Sequence, residues 1–168
     1  SLAWPMLTVP HEVQRLAEIV ARKLGVTGPF KLDFLYDERY GWCIIEAATR
    51  WTGGFEGSIG SLRATGRNLK KPLLDFALGL PVDLQDFVPK WYRYSAMYAP
   101  LVKVSKLTPE LLAKIRTMPY VYDVIQTRTV DKLVTCGADR GLFILTSADE
   151  QNVALDAAQG AGEWLQQR

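Results

Sequence analysis

The chain has 168 residues, 48% of them hydrophobic and 23% charged, with a formal net charge of +2. Those are the proportions of an ordinary folded domain, or of one lobe with a small appendage. They exclude an intrinsically disordered segment, a chain held to nucleic acid by bulk charge, and a membrane-spanning helix, for which no apolar run is long enough.

Val13, Leu16, Ala17, Val20 and Leu24 recur at helical spacing, so residues 10–25 read as an amphipathic helix stopped by Gly25. Residues 29–36 read as a strand, 37–41 (Asp-Glu-Arg-Tyr-Gly) as a turn, and 42–47 as a second strand. The short polar link with its closing glycine pairs the two strands as a hairpin. Alternation places Lys31, Asp33 and Leu35 on one face of the first strand and Leu32 and Phe34 on the other. A lysine and an acid on an otherwise apolar strand face mark a polar site rather than core.

Glycines 53, 54, 57 and 60 open a loop that runs into a helical stretch near 58–65, and a further helix at about 69–79 ends at Gly79-Leu80-Pro81. The segment 82–100, rich in Pro and aromatics, reads as a crossover or linker. A strand is then expected at 101–105, a helix from Thr108-Pro109-Glu110 with Pro in the favoured first position, and strands near 121–127 and 142–146. Ser147-Ala148-Asp149-Glu150 has the spacing of a capping box opening a last helix that runs to about 167. The class is α+β, with hairpins and helices alternating over one sheet system.

Asp33 and Glu46 hold the most chemical content. Cross-strand spacing brings two such carboxylates within about 5–8 Å, a separation that hard divalent cations can bridge through oxygen. Spacing alone fits equally well two exposed acids paired with Lys31. Arg50 follows Glu46 by four residues, where the strand should end, and a guanidinium there can grip a carboxylate or phosphate bidentately; it also fits a plain surface arginine. Gly53 and Gly54 either mark a sharp turn or admit a substrate close to the backbone. The basic run of Arg63, Arg67, Lys70 and Lys71 reads as a solvated face, with a phosphate-attracting patch as the alternative. Cys43 and Cys136 match no metal or redox spacing and are expected as buried reduced thiols, which fits a cytoplasmic protein. His11 has no partner pattern, and no serine stands in a nucleophile context.

The order of these residues carries a resemblance. Phe30-Lys31-Leu32-Asp33-Phe34, a turn, then Ile44-Ile45-Glu46-x-x-x-Arg50 and a Gly53-Gly54 loop resembles the C-terminal lobe of ATP-grasp enzymes. Ala64-Thr65-Gly66-Arg67-Asn68-Leu69 and Ala77-Leu78-Gly79-Leu80-Pro81 are similar to the stretch that follows the magnesium site in that superfamily. The resemblance covers residues 10–81 specifically and the rest loosely. It implies the C-terminal half of an ATP-grasp fold at 1–90, an antiparallel sheet with flanking helices, and a small α/β closing subdomain at 91–168. The N-terminal nucleotide-binding lobe is not among these residues, so a fragment inactive alone is expected, a reading the start at Ser1 rather than Met also suggests.

By the same resemblance Asp33 and Glu46 coordinate magnesium on ATP, and Lys31 approaches the phosphates. Arg50 binds the acyl phosphate or the substrate carboxylate, and Gly53 and Gly54 line the acceptor side. The implied activity is ATP- and Mg2+-dependent activation of a carboxylate for attack by an amine or similar nucleophile. Partners are then small-molecule acid and amine substrates and the missing lobe, with no nucleic acid or membrane; oligomeric state stays open, a homodimer being one expectation. Many members carry Asn two residues after the second acid, where this chain has Ala48; amino-acid-ligase-like branches also lack it. The alternatives are a biotin-carboxylase-like activity, which Thr49-Arg50 fits and Ala48 opposes, and a non-catalytic interaction or assembly domain.

Overall fold

Two separate antiparallel sheets organise the protein, seen in a computed structural model that describes residues 2–3, 9–51, 55–133 and 139–168. The chain divides into two compact units that interleave in sequence. One, the hairpin unit, comprises Met6–Ser58 and Asn68–Val88; the other, the sheet unit, comprises Ser1–Pro5, Ile59–Arg67 and Pro89–Arg168.

The hairpin unit begins with helix α1 (His11–Lys23), followed by strands β2 (Lys31–Asp37) and β3 (Gly41–Ala48). Aromatic and β-branched residues (Phe34, Tyr36, Trp42, Ile44) suit both strands to a pleated ribbon. The turn between them is built locally. The Asp37 carboxylate accepts from the Arg39 and Tyr40 amides at 2.8 and 2.9 Å, and Gly41 takes the left-handed conformation at φ 71°. Helix α3 (Lys70–Ala77) is closed by left-handed Gly79, and its Phe76 ring lies where a side chain on Gly28 would go, at 3.1 Å. Gly28 stands at φ 98°, a conformation that favours glycine, and the ring contact adds to that reason.

In the sheet unit the strand order is β1-β4-β6-β5, all antiparallel neighbours, from β1 (Leu2–Ala3), β4 (Tyr94–Tyr98), β5 (Val121–Gln126) and β6 (Leu142–Ala148). Helices α4 (Pro109–Arg116) and α5 (Gln151–Gln166) cover one face; a short helix, α2 (Ser61–Thr65), also belongs to this unit. Ile115 of α4, Val124, Leu142 and Ile144 of the sheet, and Ala161 and Leu165 of α5 form the principal core. Ala96, Ala148, Ala154 and Ala158 make a second cluster in which small side chains bring α5 close to the sheet.

Five expectations are corrected here, the first being the single sheet system, since the two sheets are separate. Residues 82–100 are not only a connector, since Tyr94–Tyr98 forms β4, placed between β1 and β6. Residues 101–105 form no strand. Pro100 precedes them without an amide donor, and Val104 opens a single 3-10 turn (Val104–Lys106) with its side chain buried, so the apolar run serves burial rather than a ladder. The capping box is not formed, because Ser147 is still inside β6 and its amide donates to the Tyr120 carbonyl at 3.0 Å. Glu150 is the N-cap of α5 without a side-chain cap bond, and Asp149 pairs with Arg93 at 2.8 Å instead. Cys43 is half-buried rather than buried, and Cys136 lies outside the described residues.

Candidate functional site

The hairpin register decides whether the two acids can act together. Lys31 stands opposite Ala48, and Asp33 directly opposite Glu46. Directly paired residues point to one face, so both carboxylates share a side of the ribbon. Immediately beyond them the ladder slips, with Phe34 opposite Ile44, and Ile45 is the extra residue of a β-bulge, 65% exposed. Bulges re-aim side chains locally. Here the slip falls just after the acid pair and leaves that pair in register.

Lys31 ties the cluster. Its ammonium donates to Asp33 Oδ2 at 2.6 Å and lies 3.6 Å from Glu46 Oε1. The side chains of Lys31, Asp33 and Glu46 are 26%, 37% and 53% exposed, so the cluster is open to solvent. The hydrogen bond to Asp33 holds the Lys31 ammonium above the ordinary lysine range, with the Glu46 charge adding to it and partial burial and the Arg50 charge opposing it. Arg50 thus acts electrostatically on the same cluster. Its guanidinium also donates to the Trp51 carbonyl at 3.1 Å.

Beside the lysine lies an open cavity of about 270 Å³ lined by Phe30, Lys31, Leu32 and Trp51. The Trp51 indole N–H donates to the Gly57 carbonyl at 2.8 Å, which fastens the two ends of the glycine-rich loop. The sequence cue to Trp51 is its place just past Arg50, two residues ahead of the glycine pair. Gly53 and Gly54 themselves lie outside the described residues.

Among the described residues, no three His, Cys, Asp or Glu side chains converge on a common point that could hold a metal. Two carboxylates on one face do suit magnesium, which keeps most of its shell as water and phosphate oxygen and takes only one or two protein carboxylates. The Lys31 ammonium is the cation that both carboxylates face here. Several other ionic groups have structural partners. Asp139 is buried between Arg128 and Lys132, at 3.1 and 2.6 Å. Of the basic run, Lys71 pairs with Asp75 at 2.5 Å and Arg63 stacks on the Tyr122 ring at 4.8 Å. No helix among the described residues is long and apolar enough to cross a membrane.

No family model matches this chain, and no curated protein does. Solved structures do match. An L-amino acid ligase from Bacillus licheniformis aligns at TM-score 0.70 and 19% identity, over 96% of this chain and 44% of that one. An N5-carboxyaminoimidazole synthase from Aspergillus clavatus, solved with ADP and 5-aminoimidazole ribonucleotide, aligns at 0.65 and 15% identity, over 99% of this chain and 44% of that one. A biotin carboxylase from Campylobacter jejuni aligns at 0.52 and 17% identity, over 94% and 36%. This chain therefore spans less than half the length of each of these enzymes. Its fold is that of the C-terminal portion of ATP-grasp enzymes, the class that the hairpin motif resembles.

Proposed function

We propose that this chain is the C-terminal portion of an ATP- and magnesium-dependent ligase that activates a carboxylate as an acyl phosphate for attack by an amine or similar nucleophile. The observation that carries the reading is the register: Asp33 and Glu46 are direct cross-strand partners on one face, with Lys31 bonded between them. Had they pointed to opposite faces, the reading would fail. In this proposal Asp33 and Glu46 hold magnesium, which when bound neutralises phosphate charge during phosphoryl transfer. Lys31 donates to a phosphate oxygen. Arg50 binds the carboxylate or the acyl phosphate, and Gly53 and Gly54 line the acceptor side. The chain's own work is to bind, orient and neutralise; phosphoryl transfer asks for little else from a protein.

The amine-ligase branch is favoured over biotin-carboxylase-like chemistry by Ala48. A nucleotide-binding lobe from the remainder of a longer protein belongs to the same reading, as does a cytoplasmic location, where ATP is supplied; on this reading the segment alone does not turn over.

The test is ADP release by the full-length protein that contains this segment, with magnesium and a panel of carboxylic acids and amines. Acid-dependent release is expected, and Glu46→Gln should lower it by about a hundredfold or more, as the loss of a metal-held charge of several kcal/mol requires. Release that is indifferent to Glu46→Gln would sink the assignment.

A further inference from the structure

Lys31 does more in this geometry than wait for a phosphate. Its ammonium sits 2.6 Å from one acid and 3.6 Å from the other, on the face where a cation shared by both would bind. Across the ladder stands Ala48, whose methyl group leaves that side of the ribbon uncrowded and offers Lys31 no polar partner. The amine therefore turns along the strand to the acids, two residues away, and a cation and this ammonium compete for the same oxygens.

We propose that Lys31 is the resident counter-ion of the Asp33–Glu46 pair, and that a divalent cation enters only by displacing its ammonium. The inference rests on the metal reading of the pair given above and adds its regulation. Unaided, the pair takes up metal weakly, because the first cation must break an existing ion pair and meets a positive charge a few ångströms away. An anionic phosphate that draws the ammonium off frees both carboxylates, so metal and phosphate loading are coupled through one side chain. Such a site stays closed to free cations until the phosphate-bearing substrate arrives.

The experiment measures divalent-cation binding by the full-length protein that contains this segment, without nucleotide, at low ionic strength. Mn2+ is the probe, followed by paramagnetic broadening of the Asp33 and Glu46 amide signals in the unaltered protein, Lys31→Met, Lys31→Arg and Glu46→Gln. Relief from one neighbouring charge in a partly exposed cluster predicts about three- to tenfold tighter Mn2+ binding in Lys31→Met. Lys31→Arg, which restores the charge, should bind about as weakly as the unaltered protein. Lys31→Met no tighter than the unaltered protein, with binding still lost in Glu46→Gln, would overturn the counter-ion role and leave the metal site standing. No localised broadening in any variant would overturn the metal reading and this inference together. A second measurement needs no substitution: on titrating Mg2+ into the unaltered protein, the Lys31 Cε and Nζ signals should move in step with the Glu46 carboxyl signal. A Glu46 shift with Lys31 unmoved would again refute displacement.

Discussion

Asp131 accepts two hydrogen bonds from Ser105, from its amide at 3.1 Å and its hydroxyl at 2.6 Å. Both stabilise the ionised form, and the hydroxyl, the larger cause, holds the Asp131 carboxyl below its ordinary value of 3.8. A carboxyl lowered on folding contributes stability above its unfolded value and loses it as pH falls through the folded one. Removing the hydroxyl in Ser105→Ala should therefore raise the Asp131 value towards 3.8, as read from its carboxyl signal in an NMR titration, and should shrink the loss of stability between neutral and acid pH. Lys31 follows the opposite rule. Its raised value makes its ion-pair contribution complete below the ordinary lysine value of 10.5, and alkaline titration removes it. The Ser105–Asp131 pairing was not legible in the sequence, since its partners are 26 residues apart, whereas the pairing of Lys31 with the two acids was one of the readings that spacing allowed.

At the scale of elements, α5 lies on β4 because two glycine hydrogens allow it. A side chain at Gly162 would clash with the edge of the Tyr98 ring, so the ring or the helix would have to shift. Gly162→Ala should destabilise the protein by about 1–3 kcal/mol through overpacking, seen as a lower denaturation midpoint. The same substitution at Gly160, which has open space around it, is expected to be neutral or slightly stabilising, since alanine is the better helix former. Helix α4 is the contrasting case. Thr108 accepts from the Leu111 amide at 3.3 Å with Pro109 next, a start signal written within four residues and read correctly from them. β4 carries no such local signal. Its centre is Ser-Ala-Met, and it is a strand because β6 pairs with it from Tyr94 opposite Ala148 to Tyr98 opposite Ile144.

Over the whole molecule, every buried core hydrophobe among the described residues belongs to the sheet unit. In the hairpin unit Pro72 is the large side chain that is fully buried, while Leu35, Ile45, Leu74 and Leu84 are more than half exposed. Opening free energy follows buried apolar contact. Amide hydrogen exchange should therefore be fastest along β2 and β3 and slowest along β6, whose Leu142, Ile144 and Leu145 are buried. Equal protection of the two sheets would contradict this. The two units interleave in sequence, since Ile59–Arg67 belongs with the later residues and Asn68–Val88 with the earlier ones.

Read alone, the sequence determined the hairpin, the helices α1, α3 and α4, and the order Lys31, Asp33, Glu46, Arg50, because a period of two, a five-residue polar turn and the helix signals at either end act over a few neighbouring residues. Period two also predicts that Lys31 and Asp33 share a face. Whether Glu46 joins them was beyond it, since a slip of one residue in the partner strand reverses every side chain. The tertiary structure settled that register, with the bulge at Ile45 placed just past the acid pair. It also decided β4, the burial of Val104 in a 3-10 turn, and the interleaving of the two units. Each of these depends on which distant segment arrives to pair or pack, and no local run of residues encodes that arrival.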